Sequence, residues 1–240
     1  MIWWLIAAAV ASFVKGLCGF ANTLVFDTIM GFAQDSMQII TPVELVINMP
    51  SNAIMVWRER KHIVWRICLP AAALIIVGTI PGMLLLKNVD AQWLKLAFGI
   101  IVMLLGAEML LRELQHKKVQ PNPIVTAAIG IISGVMCGAF GVGALMAAYM
   151  SRVSDDTASF RANISVAFLA NALFRCVAYA CTGIITADTL KISLLLMPVM
   201  VIGTVLGIRC AHILPEQRVK RCVTVALILS GLALVINNLP

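Results

Sequence analysis

The stretch SFVKGLCGFANTL, residues 12–24, decides the fold, because it interrupts a run that is otherwise almost wholly apolar from residue 2 to residue 32. A lysine, two glycines, a cysteine and an asparagine stand where an uninterrupted membrane helix would carry leucine. An ammonium at the centre of a spanning helix costs roughly 3 kcal/mol on insertion scales, so Lys15 needs a partner or a task. A second interruption of the same kind, SGVMCGAFGVG at residues 133–143, lies inside the apolar run 124–150.

The rest of the chain makes these runs membrane segments. Of 240 residues, 61% are hydrophobic and 12% charged, more apolar surface than a soluble domain of this length hides. The polar connections 58–66, 112–123 and 151–161 are short, so the chemistry takes place within the bilayer or at its edges. The opening MIWWLIAAAV has no basic region ahead of its apolar run and reads as a structured segment, not a cleaved signal. The net charge of +7 sits in short loops beside apolar segments, as the positive-inside rule requires, and implies no nucleic acid. Seven cysteines form no CxxC pair and no metal-ligand spacing. Those at 68, 176, 181, 210 and 222 lie in apolar runs as small membrane-compatible residues, and neither a metal nor another cofactor is expected.

The apolar segments are eight: 2–32, 39–57, 67–86, 93–111, 124–150, 163–185, 192–213 and 222–239. An offset of 119 lays the CG at 18–19 on that at 137–138, and the NA at 52–53 on that at 171–172. An offset of 125 lays GTIPG (78–82) on GTVLG (203–207). The chain therefore divides into a first repeat, 1–116, holding segments one to four, and a second, 121–240, holding segments five to eight.

Two topologies compete. If all eight segments cross, basic residues outside the apolar interior divide evenly, eight to eight. If segments one and five instead enter and return as glycine-broken hairpins, the split becomes thirteen against three, a real positive-inside bias. Three crossings per half then invert the second repeat relative to the first, a plan common among secondary transporters. It places both termini on the non-cytoplasmic side. Long kinked crossings in parallel repeats are the alternative. In either case the expected fold is an all-α membrane protein whose broken backbone faces protein or a wet cavity, since lipid cannot satisfy it.

A returning half-helix leaves unpaired N–H groups near residues 19–23 and 140–144, a geometry suited to an anion. Candidate binding residues follow from it: Lys15, Gly16, Cys18, Gly19 and Asn22 at the first break, and Gly138 and Gly141 at the second. Asn48 and Asn52 join them from segment two, with Asn171 and Arg175 from segment six. Against this, Lys15 could cap its helix or snorkel, and Arg175 could pair with Glu44 or Glu108. Glu44, Asn48 and Asn52 share a helix face at four-residue spacing. At an offset of 119, Asn163 falls opposite Glu44, Asn171 opposite Asn52, and Cys137 opposite Cys18. The asparagines could equally be glue between helices. Glu44, Asp27 and Glu108 are the candidates for carrying a coupling proton. No catalytic residue is assigned, because neither break contains a histidine or carboxylate to activate a cysteine.

Together, KGLCGFANTLVF and GIISGVMCGAFGVGALMAAYM resemble the glycine-rich elements that open each half of the sulfite exporter TauE/SafE family, also called the toluene-sulfonate uptake permease family. The resemblance spans essentially the whole chain, though Ala21 and Asn22 stand where the family pattern has glycines. It implies a multi-pass transporter in the cytoplasmic membrane of a prokaryote that moves a small sulfur oxyanion or organosulfonate. An anion channel, an accessory subunit without its own cycle, and an intramembrane thiol enzyme are the alternatives. Besides lipid and substrate, a homo-oligomeric partner is compatible with the sequence.

Overall fold

The computed structural model describes residues 2–18, 22–33, 36–113, 123–154 and 157–210, with single positions at 225, 228, 232 and 236. Among these, every regular element is a helix: α1 (Ile2–Cys18), α2 (Asn22–Phe32), α3 (Met37–Glu59, continued by a 3-10 turn Arg60–His62), α4 (Trp65–Asn88), α5 (Ala91–Glu113), α6 (Pro123–Phe140), α7 (Ala144–Val153), α8 (Thr157–Cys181) and α9 (Ala187–Cys210). Five of them, α3, α4, α6, α8 and α9, are long and apolar enough to cross a membrane. The all-helical membrane architecture expected from composition is what forms. Of the eighth segment, 222–239, just four positions are described, each helical.

Both glycine-rich stretches break their helix. The first separates α1 from α2, and the second separates α6 from α7 at 141–143. At the second, the chain turns back. Met146 N donates to Ser133 Oγ at 3.3 Å, and the Tyr149 and Thr126 hydroxyls meet at 2.5 Å, so α7 retraces α6. At the first, Trp4 of α1 and Phe26 of α2 lie with ring centroids 5.9 Å apart, which a straight continuation of the helix would prevent. The arms are unequal. With 18 residues, α6 is about 27 Å long and approaches the thickness of a bilayer core, whereas α7 has 10 and is far too short.

The first arms pack across the chain. α6 lies against α4, where Gly134 and Gly138 face Gly78 and Gly82 so closely that an added Cβ would strike the opposing backbone. α1 lies against α9 in the same manner, with Gly16 on Gly207 and Ser12 on Gly203. Small residues at four-residue spacing let backbones approach, and dispersion over the contact then holds helices that lipid would solvate equally well. Large side chains point outward instead: Trp57, Trp65 and Trp93 are 71%, 57% and 58% exposed, all near helix ends, where amphipathic rings favour the membrane interface.

The packing also gives a register. Ser12 and Gly16 meet Gly203 and Gly207 as Gly134 and Gly138 meet Gly78 and Gly82, an offset of 122 and not 119 between the first arms. In that register Cys137 stands opposite Lys15, not Cys18, and Gly16 stands opposite Gly138. A match on a two-letter motif is easily one helical turn out. Backbone contact between helices is less forgiving.

Candidate functional site

The tip of the second hairpin meets the beginning of α2. Gly141, the first residue of the second break, has φ +72°, and a Cβ there would lie 2.9 Å from Thr23 Cγ2 and 3.0 Å from Glu44 Oε2. Glycine alone takes this left-handed conformation cheaply and lets the other tip come this close. Thr23 and Asn22 are the first two residues of α2, so the tip of one hairpin touches the start of the other's return arm.

Glu44, on α3, is buried at this junction with 1% exposure. Its Oε1 accepts three hydrogen bonds: from Thr23 Oγ1 at 2.6 Å, Asn22 Nδ2 at 3.1 Å and Asn48 Nδ2 at 3.1 Å. Its Oε2 faces Gly141, and the Arg175 guanidinium approaches the same point, with Nη1 3.5 Å from where that Cβ would be. Arg175 donates through Nη2 to Tyr179 Oη at 3.0 Å, and Tyr179 donates in turn to the Gly138 carbonyl at 2.6 Å. One turn apart on α8, the guanidinium also lies 5.0 Å from the Tyr179 ring centroid. The Arg175 Nε is buried without a partner.

Lys15 reaches the same junction from α1. Its Nζ donates to Asn52 Oδ1 at 2.6 Å and to Asn48 Oδ1. This neither caps a helix nor snorkels, since the residue is 2% exposed. By taking both amide oxygens, the ammonium turns the NH2 groups of Asn48 and Asn52 away from itself. Asn48 then gives its donor to Glu44, and both amides line a cavity of about 30 Å³ together with Glu44, Cys137, Asn171 and Arg175. Asn171 is oriented from behind as well, its Oδ1 accepting from Thr79 Oγ1 at 2.9 Å. A second cavity of about 30 Å³ lies between Asn22, Thr23, Gly141 and Gly143. Each has room for about two waters, and neither holds a three-oxygen sulfur anion without some movement.

The ion pairs between described residues lie at exposed positions, such as Arg58–Glu59 and Lys191–Asp188, and neither Lys15 nor Arg175 takes part in one. One buried cation, Arg175, thus lines a cavity with amides and one carboxylate that is already hydrogen-bonded elsewhere, while the other, Lys15, sits behind two of those amides. Asp27, on α2, is fully buried and neither of its oxygens has a partner, within electrostatic reach of Glu44 and Arg175. Among the described residues no group of three or more His, Cys, Asp or Glu side chains could hold a metal.

The family model described as sulfite exporter TauE/SafE matches residues 4–234. The chain belongs to that family. As a TauE/SafE protein it is a multi-pass membrane transporter. Over 195 residues it is 26% identical to a protein of Comamonas testosteroni named "Probable inner membrane transporter protein TsaS", covering 79% of this chain and 80% of that one. No solved structure matches it.

In this TauE/SafE chain, Lys15, Asn22, Glu44, Asn48, Asn52, Gly141, Asn171 and Arg175 gather at one junction, with Asp27 beside it. Gly16 and Gly138 have another use, as packing surfaces for α9 and α4. The Cys18 side chain, Gly19 and the Glu108 side chain lie outside the described residues. Asn163 is remote from the junction and accepts from Val64 N at 2.7 Å, at the start of α4. Thr23, Tyr179 and Cys137 are the site residues that sequence reasoning left out. Thr23 follows Asn22 at a helix start, and Tyr179 follows Arg175 by four residues on an apolar helix; those spacings were the signals that could have found them. The junction also brings Cys137 and Glu44 to one cavity, although the breaks themselves contain no carboxylate.

Proposed function

We propose that this transporter moves a small sulfur oxyanion or organosulfonate out of a prokaryotic cell across its inner membrane, binding it between the two hairpin tips. The observation that carries the reading is a pair of buried cations without an ion-pair partner: Arg175, which lines the amide-lined cavity, and Lys15, which holds two of its amides from behind. Lipid tolerates such cations when they face a polar path or a ligand. Amide and hydroxyl donors that converge beside full charges suit a compact anion with several acceptor oxygens. The family's name points to sulfite export, and that of the Comamonas relative to an inner membrane transporter.

The halves 1–116 and 121–240 are read as inverted repeats, supported by the reciprocal packing of α1 on α9 and α6 on α4, whose contact residues on the first arms share an offset of 122. Export is favoured electrically, since each negative charge leaving a cell with a negative interior gains about 2.3 kcal/mol per 100 mV. Glu44 and Asp27 are the proposed proton carriers: a naked buried carboxylate such as that of Asp27 is costly, and a proton removes that cost.

The deciding experiment is flux into proteoliposomes. Sulfite, thiosulfate, sulfate and methanesulfonate are offered separately, and uptake is followed for saturation and for counterflow against an internal load. Saturable counterflow of at least one sulfur anion is the expected result. Linear, non-exchanging flux would make the protein a channel, and absence of flux for all four would remove the proposed substrate class.

A further inference from the structure

Glu44 sits where a substrate would. Three donors from two helices converge on its Oε1, and two of them, Asn22 and Thr23, belong to the first hairpin, whose return arm they open. A carboxylate oxygen accepting three hydrogen bonds is fully satisfied. Those same groups, with Lys15 behind Asn48 and Arg175 on the far side, are the donors a sulfur oxyanion would need. The cavity beside the carboxylate is small, and withdrawal of the Glu44 side chain, which lines it, would enlarge it.

We infer that Glu44 is a resident anion, a carboxylate built into the chain that fills the substrate's oxygen site when no substrate is bound and must be displaced for binding. This rests on the transport reading and sharpens it, because one set of donors cannot serve two anions at once. Displacement is eased when Glu44 takes a proton, since the repulsion between two anions in one cavity then disappears. That proton goes to Oε2, which accepts no hydrogen bond in this state, rather than to the saturated Oε1. The charged groups around it are Lys15 from α1, Asp27 from α2 and Arg175 from α8. Proton and substrate anion are thereby linked at one side chain: the anion enters as the carboxylate is neutralised, and the carboxylate refills the site as the anion leaves.

The test uses the purified full chain in detergent, with thermal unfolding as readout and methanesulfonate and sulfate as probes, both of constant charge across the range used. In the wild type, probe affinity should rise about tenfold between about pH 8 and about pH 5. Glu44→Gln and Glu44→Ala should bind the probes about tenfold or more tightly at the higher pH, because no charge has to be displaced. Formate should stabilise Glu44→Ala and leave the wild type unchanged, as a free carboxylate refilling the vacated site. If folded variants bind the probes no more tightly than wild type and formate has no effect, Glu44 is not a competitor and the inference falls. It falls equally if neither variant folds even when prepared in formate, for the carboxylate is then a structural counter-ion. If no sulfur anion binds wild type or variants while formate still stabilises Glu44→Ala, the substrate class is wrong and the resident anion stands.

Discussion

At Lys15 the interesting quantity is what the ammonium does through its neighbours. It donates to Asn48 and Asn52, and so fixes which end of each amide faces the cavity. Lys15→Met keeps most of the stem's packing, removes the charge and frees both amides to flip. Affinity for a sulfur oxyanion should fall by about ten- to a hundredfold, the worth of a charge-assisted hydrogen bond, measured as lost ligand stabilisation beside wild type. Lys15→Arg should recover part of that loss, since it keeps the charge but presents a planar fork where a compact ammonium fits. Undiminished stabilisation in a folded Lys15→Met protein would remove Lys15 from the site. Tyr179 offers a milder test on the opposite wall. Tyr179→Phe deletes the hydroxyl that joins Arg175 to the Gly138 carbonyl, leaving the guanidinium less well placed. Binding should weaken by about 1 kcal/mol while the fold survives, and a transport rate equal to wild type would show that Arg175 needs no such support.

On the scale of single elements, the breaks matter more than the helices they separate. Gly141 adopts φ +72° with its Cα against Thr23 and Glu44, so Gly141→Ala strains the backbone by about 1–2 kcal/mol and pushes the tips apart. Lower thermal stability together with lost anion binding is expected. Retention of both would mean that the tips need not touch. The breaks were legible in the sequence because clustered glycines weaken a helix, and a lysine beside them in an apolar run marks a place where the chain leaves lipid. That Glu44, Asn48 and Asn52 share a face was legible too, from four-residue spacing alone. What spacing could not give was the register between helices. Cys18 and Cys137 looked equivalent because both precede glycine, yet the packing of the first arms puts Lys15 opposite Cys137. Nor could it separate glycines that admit a ligand from those, such as Gly16 and Gly138, that admit another helix. The two uses demand the same residue, and a neighbour's position tells them apart.

For the molecule as a whole, the proposed inverted arrangement makes orientation testable, because under it the basic residues divide thirteen to three. Reporter fusions at Gln120 and after Pro240 should report opposite sides of the membrane, with Gln120 in the cytoplasm. Both on one side would restore eight crossings and parallel repeats. The reciprocal packing has a further consequence, for biogenesis. α1 leaves the ribosome first, but its small-residue face waits for α9, which is made almost last, and α4 likewise waits for α6. Neither half can bury its own close-contact seams, so each newly made half is an orphan. Expressed alone, residues 1–116 or 121–240 should be degraded or aggregate. Expressed together as two chains, they should co-purify as a complex, because the seams join the halves and need no peptide link. Recovery of either half alone as a stable, monodisperse species would show that these glycine seams are dispensable for assembly.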